Sequence, residues 1–128
     1  MITDEFAEGQ IWSYHTRPGE TGSTILINKI ETHPVLKMIY HIGIFGARVK
    51  NPRLPSGVAA QLPHFPVSAQ TLEKSCIELI GHAEPDPEYL DGYAIWKEEF
   101  DQGRAGIFTV TVAEIVDIIE TAINQRPA

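Results

Sequence analysis

The stretch from residue 35 to residue 50 constrains the fold more than any other part of this chain. One face of it is wholly apolar and consists of Leu36, Met38, Tyr40, Ile42 and Ile44. The intervening residues form a mixed face, and a period of two is typical of a β-strand. The pattern therefore predicts a long strand over 35–50. Gly43 and Gly46 are expected at bulges or bends, as in a strongly curved sheet.

Two further strands are predicted before this one. Residues 10–17 are rich in strand-forming side chains and place Trp12 and Tyr14 on the same side of the backbone. A turn signal rich in proline and glycine covers 18–22, and the strand formers resume over 23–31. A short loop between two strands predicts an antiparallel hairpin.

The middle of the chain is expected to contain a connection and a helix. Residues 51–67 include four prolines, which predicts a long connection that holds no central strand. A helix is then predicted between the cap Ser68 and the stop Gly81, with Cys76 on its apolar stripe. A nucleophilic cysteine needs an exposed and electropositive setting, so Cys76 is expected to be a core thiol.

The C-terminal part completes the predicted architecture. A second helix is expected from the cap Asp86 to Gly103, a short strand at 105–110, and a last helix opened by a capping box of Thr111 and Glu114. The whole predicts an α+β domain of all 128 residues. Its curved antiparallel sheet would have three N-terminal strands plus the short strand near 105–110, with three helices packed on one face.

The net charge is concentrated in the last third of the sequence. The chain has 10 Lys+Arg and 17 Asp+Glu, a formal net charge of −7. Residues 1–83 are neutral, and 84–128 carry the whole excess of acids. The acidic balance argues against nonspecific binding to nucleic acid or an anionic membrane. The acidic third can be an interaction surface or simply the solvated face of the C-terminal helices.

Several kinds of functional site lack their sequence pattern. A single cysteine excludes an internal disulfide and a multi-cysteine zinc site, and the five histidines show no metal-ligand spacing. No metal site or cofactor is therefore expected. Serine-hydrolase and glycine-rich phosphate-binding motifs are absent, and no catalytic residue is assigned. His41 is expected to be hydrogen-bonded and half-buried, and His64 to be structural in a rigid loop.

The location of the protein is also predicted from the sequence. No apolar run approaches the ~18 residues that span a bilayer. The acidic start, Met1–Phe6, lacks the basic residues and apolar stretch of a secretion signal. We therefore expect a cytoplasmic protein.

Two surfaces other than the acidic third are candidates for binding. Trp12, Tyr14 and Arg17 lie on or beside the first turn, and an arginine beside aromatic rings is a usual composition of binding sites. The alternative is that both rings anchor the core and that Arg17 pairs with Glu20. A small basic patch follows the third strand and consists of Arg48, Lys50 and Arg53.

The segment Gly9-Gln-Ile-Trp12-Ser-Tyr14-His-Thr-Arg17-Pro-Gly-Glu20 resembles short uncharacterised bacterial proteins, and the similarity continues into 48–52 and 106–114. Proteins of this kind are similar in type to immunity proteins, small cytoplasmic inhibitors of secreted antibacterial toxins. Gly9-Gln-Ile-Trp12 and Arg17-Pro18 also resemble PemK-like toxin ribonucleases, which would imply a small SH3-like barrel. Neither resemblance assigns a catalytic residue to this chain.

The leading hypothesis is a non-catalytic immunity protein that binds and inhibits a basic toxin enzyme. Its contact residues would be Trp12, Tyr14 and Arg17 together with Glu84, Asp86, Glu88, Asp91, Glu98, Glu99 and Asp101. The alternative is an SH3-like-barrel nucleic-acid-binding protein or ribonuclease that uses Arg17 and the basic patch. A third hypothesis is a homo-oligomer formed through a sheet edge or the last helix, because the sequence leaves the oligomeric state open.

Overall fold

Residues 6–125 are described in a computed structural model, which contains five strands and three helices. The strands are β1 (Gln10–Tyr14), β2 (Thr24–His33), β3 (Lys37–Lys50), β4 (Val58–Val67) and β5 (Cys76–His82). The helices are α1 (Ala69–Ser75), α2 (Tyr89–Asp101) and α3 (Val112–Gln125). Met1–Glu5, on which the expectation of a missing secretion signal depends, lie outside the described residues.

The five strands form one antiparallel sheet in the order β4-β3-β2-β1-β5. The predicted long strand is confirmed as β3, which pairs with β2 on one side and β4 on the other. The predicted hairpin of β1 and β2 is confirmed as well. The α+β class is therefore confirmed, although the sheet has one strand more than predicted.

The curvature predicted around the two glycines is confirmed. Gly46 has a φ of 84°, and the register between β3 and β4 shifts between Phe45 and Val49. A bulge at this point needs a left-handed backbone, which glycine adopts at little cost. A Cβ on Gly43 would lie 3.2 Å from the carbonyl oxygen of Pro63, so β4 crosses close to the glycine.

The proline-rich segment contains a strand that the sequence did not predict. The expectation that 51–67 is only a connection is wrong, because β4 spans Val58–Val67 and includes Pro63 and Pro66. Proline cannot donate to a hydrogen-bond ladder. However, β4 lies at the edge of the sheet, and only one side of its backbone pairs with another strand. Prolines are compatible with that position.

The helix predicted between Ser68 and Gly81 is half as long as expected. The cap is confirmed, since Ser68 Oγ accepts a hydrogen bond from the Thr71 backbone at 3.3 Å. The helix ends at Ser75, however, and Cys76–His82 form the edge strand β5 against β1. A short apolar run fits helix and strand alike, and the open edge of β1 supplies the backbone partners that favour the strand.

The segment at 105–110 forms no strand of its own, so that prediction is wrong. Only a parallel bridge joins Phe108 to Val67, where the Ser68 amide donates to the Phe108 carbonyl at 2.9 Å. The capping box that follows is confirmed. Thr111 Oγ1 accepts from the Glu114 amide at 3.2 Å, and Glu114 Oε1 accepts from the Thr111 amide at 3.0 Å.

The helices lie on both faces of the sheet, so the expectation of a single covered face is wrong. The main core joins Tyr40 of β3 to side chains of α1 and α3, namely Leu72, Val112, Ile115 and Val116. His41 follows Tyr40 and points to the opposite face, where Tyr93 and Trp96 of α2 contact its ring. Among the described residues, no helix has the length and apolar character to cross a membrane.

Candidate functional site

The acidic residues singled out from the sequence lie on α2 and on the segment leading into it. Most of them are exposed: Glu84, Glu88, Asp91, Glu98 and Asp101. Asp86 and Glu99 are half-buried, and α2 begins at Tyr89, three residues after the predicted cap Asp86. Asp86 Oδ1 instead accepts a hydrogen bond from the Glu88 amide at 3.0 Å, just before the helix.

Two large aliphatic side chains stand exposed among these acids. Leu90 is 51% exposed and Ile95 is 69% exposed. Asp91 precedes Ile95 by four residues and Glu98 follows it by three, so all three share one face of the helix. Exposed apolar groups rimmed by charges are typical of protein-binding surfaces. We call the outer face formed by Leu90, Asp91, Ile95 and Glu98 the α2 surface.

Only part of the negative charge near α2 is neutralised within the molecule. Lys97 pairs with Asp101 at 3.1 Å. Within residues 6–125, Glu84, Asp91 and Glu98 have no ion-pair partner. Their charges can therefore act on a basic molecule that approaches the α2 surface.

The inner face of α2 covers a hydrogen-bonded chain of three side chains. His41 is fully buried, and its Nε2 lies 2.7 Å from Glu31 Oε1. Its Nδ1 lies 2.9 Å from Nε2 of His64, and the two imidazoles are stacked 5.1 Å apart. His41 is thus hydrogen-bonded as predicted, but it is more deeply buried. His64 lies in β4 and not in a loop.

This chain of hydrogen bonds determines the tautomers of the two neutral rings. A carboxylate only accepts hydrogen bonds, so Nε2 of His41 carries the hydrogen that is donated to Glu31. Nδ1 of His41 is then an acceptor, and Nε2–H of His64 donates to it. Each imidazole therefore donates once along the chain, toward the carboxylate.

Aromatic rings of α2 enclose the histidine pair. The rings of Tyr93 and Trp96 contact His41 edge-on, with centroids 4.8 and 4.9 Å away. The Tyr93 hydroxyl donates to Glu31 Oε2 at 3.3 Å. Burial lowers the pKa of His41, although Glu31 acts in the opposite direction. Burial and the neighbouring His41 lower the pKa of His64 to about 4, so both rings are neutral near neutral pH.

The close approach of α2 to His64 depends on Gly92. A Cβ at position 92 would lie 3.0 Å from the Cβ of His64. Alanine normally stabilises a helix by about 1 kcal/mol relative to glycine. Here we expect Gly92→Ala to lower the free energy of unfolding by about 1–3 kcal/mol, measured by urea denaturation, because α2 must move away from β4.

A second variant separates this clash from any other effect at the glycine. In a His64→Gly background the Cβ that a side chain at position 92 would meet is absent, and Gly92→Ala should stabilise the protein there. A stabilising effect in the wild-type background would contradict the close packing of α2 on His64.

The aromatic residues of β1 are part of the main core. Trp12 and Tyr14 are both buried. The Trp12 indole donates to Gln10 Oε1 at 2.9 Å, and its ring packs edge-on against Phe6 with centroids 5.3 Å apart. The Tyr14 hydroxyl lies 2.8 Å from Ser23 Oγ. Of the two interpretations left open by the sequence, the core position is the one found for both rings.

Arg17 is held by three carboxylates. It binds both oxygens of Glu20, at 3.1 Å from Nε and 2.8 Å from Nη2. Its Nη1 also donates to Asp117 at 3.0 Å and to Glu120 at 2.9 Å. The pairing with Glu20 was one of the two sequence interpretations, whereas the two partners in α3 were not predicted. Burial raises the pKa of Glu20, but the hydrogen bonds from Arg17 and the Arg48 amide outweigh it and lower that pKa.

The basic patch lies at the end of β3 and in the connection after it. Arg48, Lys50 and Arg53 are exposed. The Arg48 amide donates to Glu20 and the Lys50 amide donates to Glu120, each at 2.6 Å. The patch is therefore adjacent to the carboxylates that hold Arg17, and Nη2 of Arg17 also donates to the Arg48 carbonyl at 3.3 Å.

The free edge of β5 is a further exposed apolar region. Ile77, Leu79 and Ile80 are all exposed there. The register between β5 and β1 shifts twice, and such irregularities reduce the capacity of an edge to pair with another strand. Cys76 begins this strand and is partly buried, and burial raises the pKa of its thiol to about 12. A thiol in that state is a poor nucleophile.

Metal binding and similarity to known proteins provide no further assignment. Among residues 6–125, no group of three or more His, Cys, Asp or Glu side chains is arranged to hold a metal ion. The described arrangement is instead an exposed acidic helix packed over a neutral histidine pair. No protein-family model matches the chain, and no curated protein or solved structure shows significant similarity to it.

Proposed function

We propose that this protein is a cytoplasmic, non-catalytic inhibitor of the immunity type, which binds a basic toxin enzyme through the α2 surface. The observation that carries the proposal is Ile95, which is 69% exposed. It lies between Asp91 and Glu98, two acids that have no ion-pair partner within residues 6–125. The binding of α2 across the active-site cleft of the toxin would exclude the toxin's substrate.

The two kinds of side chain on the α2 surface would contribute to binding in different ways. Asp91 and Glu98 attract a basic partner over a distance and raise the association rate. Ile95 supplies apolar area that is removed from water on contact, as the central residue of an interface does. Because Ile95 is already exposed in the free protein, no unfolding is needed before it can bind.

The nucleic-acid alternative has less support from the arrangement of its residues. Trp12 and Tyr14 are buried, and three carboxylates engage the donors of Arg17. A nucleic acid would then be bound by the basic patch alone, and three phosphate contacts give weak, salt-sensitive binding. We therefore place neither Arg17 nor the two aromatic residues among the contact residues.

The experiment that tests the proposal measures association with the toxin domain encoded by the neighbouring gene. Asp91→Asn combined with Glu98→Gln should lower the association rate constant by about 10-fold at low ionic strength. The matched control is Glu73→Gln combined with Glu78→Gln, which changes the net charge equally at exposed positions away from α2.

The control variant should associate as fast as the wild-type protein. Equal rates for both double variants and the wild type would contradict docking through α2. A neighbouring gene that encodes no toxin, or a toxin domain that this protein neither binds nor inhibits, would contradict the inhibitor function itself.

A further inference from the structure

We propose that His41 and His64 form a pH-sensitive latch, which holds α2 on the sheet while both rings are neutral and releases it when both are protonated. The inference rests on the proposed function, since α2 carries the docking surface, and it concerns the regulation of that surface.

The position of α2 depends on contacts with the histidine pair. Among the described residues of α2, Trp96 alone is buried. Its ring and that of Tyr93 lie against His41, and the backbone of Gly92 lies against His64. A change in the charge or position of these two imidazoles therefore acts directly on the contacts that hold the helix.

The hydrogen-bond chain accepts one additional proton but not two. A proton on Nδ1 of His64 leaves its Nε2–H donating to His41, so every hydrogen bond of the chain is kept. When His41 is also protonated, its Nδ1–H faces the Nε2–H of His64 across 2.9 Å. Two donors then face each other, two stacked cations repel, and the bond between the rings is lost.

The charged groups around the pair oppose the second proton. Glu31 of β2 is the carboxylate that faces the rings, and its single charge can balance one imidazolium. Lys29 of the same strand and Lys97 of α2 act against a positive charge on His41. The Tyr93 hydroxyl, also from α2, is neutral and already donates to Glu31. Double protonation therefore leaves an uncompensated positive charge beneath the helix.

The pH range of the release follows from the sign of the pKa shifts. Both histidines have a lower pKa in the folded protein than the usual value of about 6.5, and that of His64 is about 4. The stabilisation by the neutral pair is therefore complete above about pH 6.5 and is lost as the pH falls toward 4. Within residues 6–125, the main core contains no histidine. The core should therefore stay folded at the pH at which α2 is released.

The experiment uses the indole N–H signals of the two tryptophans in NMR spectra recorded between about pH 7.5 and 3. The Trp96 indole donates to the Gly106 carbonyl at 2.8 Å and reports on the position of α2. The Trp12 indole donates to Gln10 in the main core and reports on the rest of the fold. We expect the Trp96 signal to be lost in acid at a pH where the Trp12 signal is unchanged.

Two variants test the role of the pair. In His64→Gln the amide can still donate to His41 but does not titrate, so the acid midpoint of the Trp96 signal should move down by about one pH unit or more. His15→Gln, at an exposed histidine, should keep the wild-type midpoint. Loss of both indole signals together, or an unchanged midpoint in His64→Gln, would overturn the latch.

If His64→Gln does not fold, a measurement on the wild-type protein tests the latch. The imidazole nitrogen shifts should show both rings neutral near neutral pH and protonated over the interval in which the Trp96 signal is lost. Two charged rings beneath a bound α2 would overturn the inference. Neither measurement uses the toxin domain, so failure of the latch and failure of the proposed function are distinguishable.

Discussion

Replacement of Arg17 by alanine is expected to lower the free energy of unfolding by about 3–5 kcal/mol. The Arg17 side chain is only 14% exposed, and that of Glu20 is 2% exposed. Without the guanidinium, Glu20 remains buried near Glu120 and loses its ion-pair partner. The variant also loses the ion pairs that tie the loop after β1 to α3, and chemical denaturation measures the sum of these effects.

A matched variant separates burial from ion pairing in general. Arg104 forms a similar two-bond pair with Glu99, at 2.9 Å for each bond, but these side chains are 55% and 42% exposed. Arg104→Ala should lower the free energy of unfolding far less than Arg17→Ala does, because water screens an exposed pair. Equal, small losses in both variants would contradict the structural role of Arg17 and restore it as a candidate ligand-binding residue.

Trp12→Ala is expected to cost about 3–5 kcal/mol, the usual penalty for removing a large aromatic side chain from a core. The indole fills space beside Phe6 and donates to Gln10, so its removal leaves a cavity and one hydrogen bond fewer. Trp12→Phe should lose much less, because an aromatic ring still fills the site. Thermal and chemical unfolding of the variants measure the difference.

The control for Trp12 is Ile95, the exposed residue of the α2 surface. Ile95→Ala should change stability by no more than about 0.5 kcal/mol, since its side chain is mostly in water in the folded protein. Together the variants separate a residue that maintains the fold from one available for binding. A stable Trp12→Ala protein would contradict the core position of Trp12.

Patterns contained in one element were predicted from the sequence, and those that depend on a distant partner were not. The period of two in β3 and the capping box of α3 are local, and both were confirmed. The strand at Cys76–His82 forms because β1 offers an open edge, which the local spacing does not reveal. The prolines of β4 led to the prediction of a connection. A strand can contain them because it lies at the edge of the sheet, and the residues of β4 alone do not reveal that position.

The same distinction between local patterns and distant partners applies to the candidate site. The acids of 84–101 were identified from charge alone, and a continuous segment keeps them together. The pair of His41 with Glu31 requires the register of β2 and β3, in which Glu31 lies opposite Ile39 and diagonal to His41. The contact with His64 requires β4, which was not predicted. The bond from Arg17 to Glu120 spans 103 positions in the sequence.

A hydrogen-exchange footprint of the complex tests the proposed binding of a basic toxin domain through α2. Amide exchange is compared for the free protein and for the protein saturated with the toxin domain of the neighbouring gene. We expect added protection over 84–101, with no change at 48–53 or in β5. Protection confined to 48–53 or to β5, with 84–101 exchanging as in the free protein, would contradict it.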